Sequence, residues 1–424
     1  MTDLMLRAEP TILGNCRLFD GETWHGDNRH RIAIEAGRIV SVENDRPATQ
    51  DEKVVDLNGM TIMPGLIDAH FHCNSPSLDP GKIDAMLPSH IAQFARQLLE
   101  TALSAGFTTV RDAGGADPGL VVATEEGLID GPRLFVAGKA LSQTGGHGDF
   151  SSGFTICDCS PYAGYLSQVV DGPDDVRRVV RQHLRAGVHH IKIFVSGGVL
   201  SPSDPIWMDQ FTDAEILAAV EEAERRRTYV MAHALSTNSI RRCATLGVRS
   251  IEHGLGVNQE VTADIIGAGA FVVPTLSAYD AMTKDGAPLP DWAIEKAKTV
   301  TDEAIRSVAV CAAEGVEMGF GTDLFGMLHG SESNELNLRA AIDGSLSALR
   351  SATSVNARMM MRDEDFGSVR AGRYADLLVV DGNPIDDIRL LADGGSGIRA
   401  VLKGGRIVRG ALPSPRMGAE VNAA

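Results

Sequence analysis

Met63-Pro-Gly-Leu-Ile-Asp-Ala-His-Phe-His72 is the seam between two kinds of sequence, and its reading decides the fold. Upstream of it, short runs alternate apolar and polar residues. Arg31-Ile-Ala-Ile-Glu35 and Arg38-Ile-Val-Ser-Val42 flank Ala36-Gly37, which reads as a hairpin. The same design returns near the other end. Ala375-Asp-Leu-Leu-Val-Val380 is followed by Ile398-Arg-Ala-Val-Leu-Lys403, then Gly404-Gly405, then Arg406-Ile-Val408. Strands at both ends around a long middle predict one small β domain assembled from the two termini.

Downstream of the seam, strand and helix alternate. After the run ending at His70, β-rich runs recur at 108–110, 133–136, 190–195, 229–233, 250–253, 271–274 and 317–323. Between them Ile91, Phe94, Leu98 and Leu99 share one helical face, and Thr212 with Glu215 forms a capping box ahead of Ile216. Eight strands alternating with helices over roughly 250 residues predict an α/β fold, a (β/α)8 TIM barrel. The expected division is 1–63 for the N-terminal part of a β-sandwich, 64–366 for the barrel, and 367–424 for the rest of the sandwich, with a mobile tail after Arg409.

Charge narrows the partners. The 424 residues carry 39 Lys+Arg against 56 Asp+Glu, a net −17, which repels phosphate backbones and anionic lipid. Nucleic acid and membrane are therefore not expected. Hydrophobic residues make up 44% and charged residues 22%, the balance of a globular chain. Six cysteines over this length are no disulfide framework, and Cys157-Asp-Cys159 lacks the nearby partners of a zinc site. The opening residues show no leader pattern, so a cytoplasmic enzyme is expected.

The chemistry-bearing residues fall where the strands end. His70 and His72, at i and i+2, share one face of a strand and can reach one metal. Lys192 sits inside an apolar strand, where a bare ammonium is disfavoured. His233, His253 and Asp323 each end a later strand. In a barrel, strand C-termini converge on one rim.

Together with Gly106-Phe-Thr-Thr-Val-Arg-Asp-Ala-Gly114 and the segment Gly367 to Pro384, these residues resemble the amidohydrolase superfamily of metal-dependent hydrolases over nearly the whole chain. Thr144-Gly-Gly-His-Gly148, Lys192-Ile-Phe-Val-Ser-Gly-Gly198 and Ser201-Pro-Ser-Asp-Pro205 look like the branch holding prolidase-like dipeptidases and ochratoxin-degrading amidases. The resemblance implies two Zn2+ ions bridged by N6-carboxylated Lys192 and a hydroxide. His70, His72 and Asp323 would hold the more buried ion, and His233 and His253 the other. It further implies attack by the bridging hydroxide, with Asp323 as general base and acid and His147 contacting the scissile carbonyl. His329, just past Asp323, and Tyr279 are candidate substrate contacts; Tyr279 and Asp280 follow the seventh strand, at 271–274, and are expected to line the pocket.

The activity implied is cleavage of a dipeptide or N-acyl amino acid, a small substrate with a free carboxylate, by a homo-oligomeric hydrolase. Two alternatives stand beside it: a mononuclear deaminase or cyclic-amide hydrolase, and a non-catalytic scaffold. Met359-Met-Met361 reads as core filling and Arg225-Arg-Arg227 as a helix end.

Overall fold

Leu377-Leu-Val-Val380 is apolar at every position, as expected for a strand covered on both faces. Leu377 and Val379 pack with Leu13, Ile32 and Ile62, while Leu378 and Val380 pack with Leu66, Phe107 and Val110. The period of two thus divides one strand between two cores. The computed structural model describes residues 10–417 except 80, 81, 84, 151–165, 202, 203, 285, 288 and 393.

The chain opens with β1 (Thr11–Leu18), β2 (His30–Glu35), β3 (Arg38–Asn44), β4 (Lys53–Asp56) and β5 (Thr61–Pro64). The middle supplies β6 (Leu66–Phe71), β7 (Phe107–Asp112), β8 (Arg133–Val136), β9 (Ala140–Ser142) and β10 (Ser167–Val169). It continues with β11 (Ile191–Phe194), β12 (Val230–Ala234), β13 (Ser250–His253) and β14 (Phe271–Val273). The last strands are β15 (Leu377–Val380), β16 (Ile398–Lys403), β17 (Arg406–Gly410) and β18 (Arg416–Met417).

Both chain ends share one sheet, in the order β17-β16-β15-β5-β1-β2-β3, because β15 pairs antiparallel with β5. Gly404-Gly405 turns β16 into β17, as its sequence suggests. The expected mobile tail begins differently: β18 pairs antiparallel with β4, so the chain remains attached to the sheet past Arg409.

The middle is α/β with parallel strands. One sheet runs β10-β9-β11-β12-β13-β14 and another β6-β7-β8. The run at 317–323, read as an eighth strand, forms no regular ladder; it makes a single bridge, Val272 with Met318. Its backbone is nevertheless bonded on both sides. Gly319 N–H donates to Val272 O at 2.8 Å, Ala69 N–H to Phe320 O at 2.9 Å and Asp323 N–H to His70 O at 2.8 Å. Gly321 permits that approach, since a Cβ there would lie 2.5 Å from the Cβ of His70. A left-handed Asp323, φ 53°, then ends the extended path.

Helices cover the outside, and Thr212 and Glu215 form the capping box at the start of helix Asp213–Arg225. Arg225 closes that helix. Met359 and Met360 are buried with Ile67, Ala69 and Phe271, whereas Met361, also read as core, is exposed at the end of its helix. Among the described residues no helix is long and apolar enough to cross a membrane. Cys16, Cys73, Cys243 and Cys311 are buried free thiols; Cys157 and Cys159 lie outside the described residues.

Candidate metal centre

The C-terminal ends of the parallel strands carry one cavity. His70, His72, His147, Lys192, His233, His253, Tyr279 and Asp323 line it, as do apolar groups including Leu200, Leu235, Met282 and Phe325. His70 is in β6 with His72 just past its end, Lys192 is in β11, His233 is in β12 and His253 ends β13. Three of these, His70, His253 and Asp323, bring donor atoms within 4.8 Å of one another.

Each of the four histidines His70, His72, His233 and His253 has one ring nitrogen tied to a group behind the cavity. His70 Nδ1 donates to Glu252 Oε2 at 2.7 Å, and His72 Nδ1 to the Gly114 carbonyl at 3.1 Å. His233 Nε2 donates to the Gly197 carbonyl at 3.1 Å, and His253 Nδ1 bonds Thr275 Oγ1 at 2.8 Å. The opposite nitrogens of His70 and His72 lie 3.2 and 3.1 Å from Asp323 Oδ1. Outer hydrogen bonds of this kind fix ring orientation and tautomer around a metal. The donor set therefore fits a borderline cation such as Zn2+: imidazole nitrogens, a carboxylate, and Lys192 beside them.

The charge states of His233, His253 and Asp323 agree with that fit; at His70 burial opposes protonation, but Asp323 and Glu252 hold its imidazole above the usual range. Burial holds His233 and His253 well below the usual imidazole range, so both are neutral. Burial opposes ionisation of Asp323, but His70 and its neighbours hold its carboxyl well below the usual range. Burial pushes Lys192 down to about 8, against the pull of Glu252 and Asp323.

Backbone conformation contributes as well. Adjacent residues in a strand point to opposite faces. His253 has φ 70°, which breaks that alternation and lets both it and Glu252 reach the His70 cluster. Thr275, at φ 51°, is fully buried and β-branched, a conformation kept only where the surroundings impose it.

His147 stands at the cavity edge, its ring stacked on that of His233 at 4.5 Å. Its Nδ1 is 2.9 Å from Asp204 Oδ2, and its backbone N–H donates to Gln210 Oε1 at 2.9 Å. Tyr279 reaches the cavity from helix Leu276–Thr283, whose first turn is anchored by Ser277 N–H donating to the buried Glu335. Two other candidates lie elsewhere. His329 is buried against Phe71 and bonds Glu332 at 2.9 Å, outside the cavity lining. Asp280 accepts from Asn334 and pairs with Lys284.

Sequence reasoning missed the residues behind these groups. Arg111 donates to the buried Glu252 at 3.0 Å, and Asp68 receives the backbone N–H of His70 and the hydroxyl of Thr322. Asp68, Arg111 and Asp204 each sit within motifs quoted above and Glu252 within the 250–253 run, yet only contacts across the fold assign them roles.

Comparisons with known proteins point one way. The model of the amidohydrolase family matches residues 61–408. Ochratoxinase from Aspergillus niger is 30% identical over 369 residues, which cover 82% of this chain and 76% of that protein. A prolidase crystallised with N-methylphosphonate-L-proline is 41% identical with a TM-score of 0.90, over 95% of this chain and all of that one. A Xaa-Pro dipeptidase with methionine bound in its active site is 31% identical with a TM-score of 0.84, over 94% of this chain and 99% of that one.

Proposed function

The chain belongs to the amidohydrolase family, in its prolidase- and ochratoxinase-like branch, and is a hydrolase acting on amide bonds; from that premise we propose that it cleaves a dipeptide or an N-acyl amino acid. The observation that carries this reading is the set of four histidines, each tied by one ring nitrogen, around Lys192 and Asp323. His70, His72 and Asp323 would hold one Zn2+, and His233 with His253 a second. Two such ions, when bound, supply an activated water and polarise the scissile carbonyl.

The chain's own groups do the rest. Burial brings Lys192 down to about 8, so the minority of its amines that are neutral near pH 7 can take up CO2, each losing a proton as the carbamate forms. The product is an anionic oxygen donor in place of a buried cation, and it would serve both ions. Asp323 takes the proton of the attacking water and returns it to the departing amine. His147, with Nδ1 pinned by Asp204, presents Nε2 to the substrate carbonyl, where a donor stabilises developing negative charge. Tyr279 and the apolar wall receive the substrate's side chains.

In this reading the two parallel sheets and 317–323 form one closed (β/α)8 barrel at 64–366, set between 1–63 and 367–424, which build a composite β-sandwich. A cytoplasmic location and a homo-oligomeric state belong to the same reading, the oligomer resting on family resemblance alone. The substrate carboxylate is drawn from the relatives crystallised with an N-substituted proline and with methionine. The test is a panel of L-Xaa-L-Pro and other dipeptides and N-acyl amino acids, with zinc and bicarbonate supplied. Amine release that stops on chelation is expected; no release from any of them by zinc-loaded enzyme would end the proposal.

A further inference from the structure

Lys296, on helix Asp291–Glu314, reaches back 92 to 98 residues along the chain to the backbone that follows β11. Its ammonium donates to the carbonyls of Gly198, of Ser201 at 3.0 Å and of Asp204 at 3.0 Å. Three protons meet three carbonyls, which uses the full donor capacity of the group. Among the described residues no carboxylate lies within ion-pair distance of it, so the cation is committed to shaping backbone.

What that backbone carries is specific. The Asp204 carboxylate is fully buried, and its Oδ2 takes His147 Nδ1, the Gly198 N–H at 3.1 Å and Gln210 Nε2 at 3.3 Å. Gly198 packs flat on the His147 ring, where a Cβ would fall 2.4 Å from Nε2. The next residues, Val199 and Leu200, line the cavity. The Lys296 helix packs against helix Leu276–Thr283, whose Ala278, Tyr279 and Met282 line the cavity too. One ammonium therefore ties two walls of the cavity together and fixes the carboxylate that orients His147.

We infer that Lys296 is a positioning residue for the hydrolysis, acting through Asp204 on His147. The inference rests on the amide-hydrolase reading. A contact that strengthens as charge develops on the substrate oxygen acts on kcat more than on KM. Lys296→Met keeps the stem and removes the clasp, so His147 loses its fixed aim, while His70, His72 and His253 keep partners outside the clasped segment and only His233 borders it, through the Gly197 carbonyl.

The experiment is a double-mutant cycle on the zinc-loaded enzyme, with Lys296→Met, His147→Ala and the double variant. The substrate is the dipeptide that the wild type cleaves fastest. Lys296→Met should lower kcat on the order of ten-fold, with KM and zinc content little changed, and should cost nothing further once His147 is alanine. An equal loss in both backgrounds, or no loss in kcat, would overturn the inference. Lys296→Gln, which keeps two donors, should fall between wild type and Lys296→Met. Independently of any substrate, 15N-histidine NMR should show a slowly exchanging Nδ1 proton for His147 in the wild type and lose it in Lys296→Met. If that proton persists unchanged, the clasp has no effect on His147. If instead the wild type cleaves no dipeptide while the NMR change is seen, the substrate reading fails and the clasp stands.

Discussion

Left-handed backbone is used differently in the shared terminal sheet and at the rim of the parallel strands. In the first region it falls at Asn15, Ala36 and Asn58, where β1 bulges and where the chain turns beside Gly37 and Gly59. Asparagine and glycine adopt this conformation at little cost, so ordinary turn chemistry accounts for most of it. At the rim it falls at His253, Thr275 and Asp323, where strands give way to the loops around the cavity. Two are proposed ligands and the third holds one of them by its hydroxyl. The contrast teaches that the terminal sheet satisfies local rules, whereas the rim breaks them in order to converge side chains on one point.

The largest effect that would sharpen this contrast is at Asp323. Asp323→Asn should lower kcat by about 10³-fold, the range of a lost acid–base group, while the thermal midpoint and zinc content change little. Wild-type turnover by the metal-loaded variant would remove the rim's special status.

The terminal sheet should behave in the opposite way. Leu377, fully buried between its strands, should cost about 2–5 kcal/mol on Leu377→Ala, read by urea unfolding. The folded fraction should keep its kcat; a slower folded enzyme would show that the two regions are not separable.

Next comes the support behind the ligands. Glu252→Gln keeps the shape but weakens the acceptor for His70, so zinc affinity should fall by about 10–100-fold in chelator competition. An unchanged affinity would make Glu252 a core residue and no more.

The smallest effect compares one left-handed residue from each region. Asn58→Gly should change stability by no more than about 1 kcal/mol and leave zinc binding alone. Thr275→Gly fits the same conformation but drops the bond to His253, so it should weaken zinc binding. Equal zinc affinities in the two variants would erase the distinction drawn here.

Much of the terminal sheet could be read directly. The 31–42 hairpin and the Gly404-Gly405 turn depend on neighbours in sequence, and so does the Thr212 capping box. The six residues His70, His72, Lys192, His233, His253 and Asp323 were legible because each interrupts or ends an apolar run. Their partners were not. Glu252 lies 182 residues from His70, Asp204 is 57 from His147, and Thr275 is 22 from His253. Such pairs are made by the packing of whole elements, and no local period encodes them. His329 shows the converse: its position past Asp323 suggested a substrate contact, but Phe71 and Glu332 draw its ring into the interior.

The account turns on whether the rim assembles a two-metal centre through Lys192. Zinc content per chain, measured after purification with zinc and 13C-bicarbonate together with the carbamate carbon signal, tests it most directly. Two zinc ions and a carbamate resonance that disappears in Lys192→Met are the predicted result. One zinc per chain with an unmodified Lys192 would contradict it.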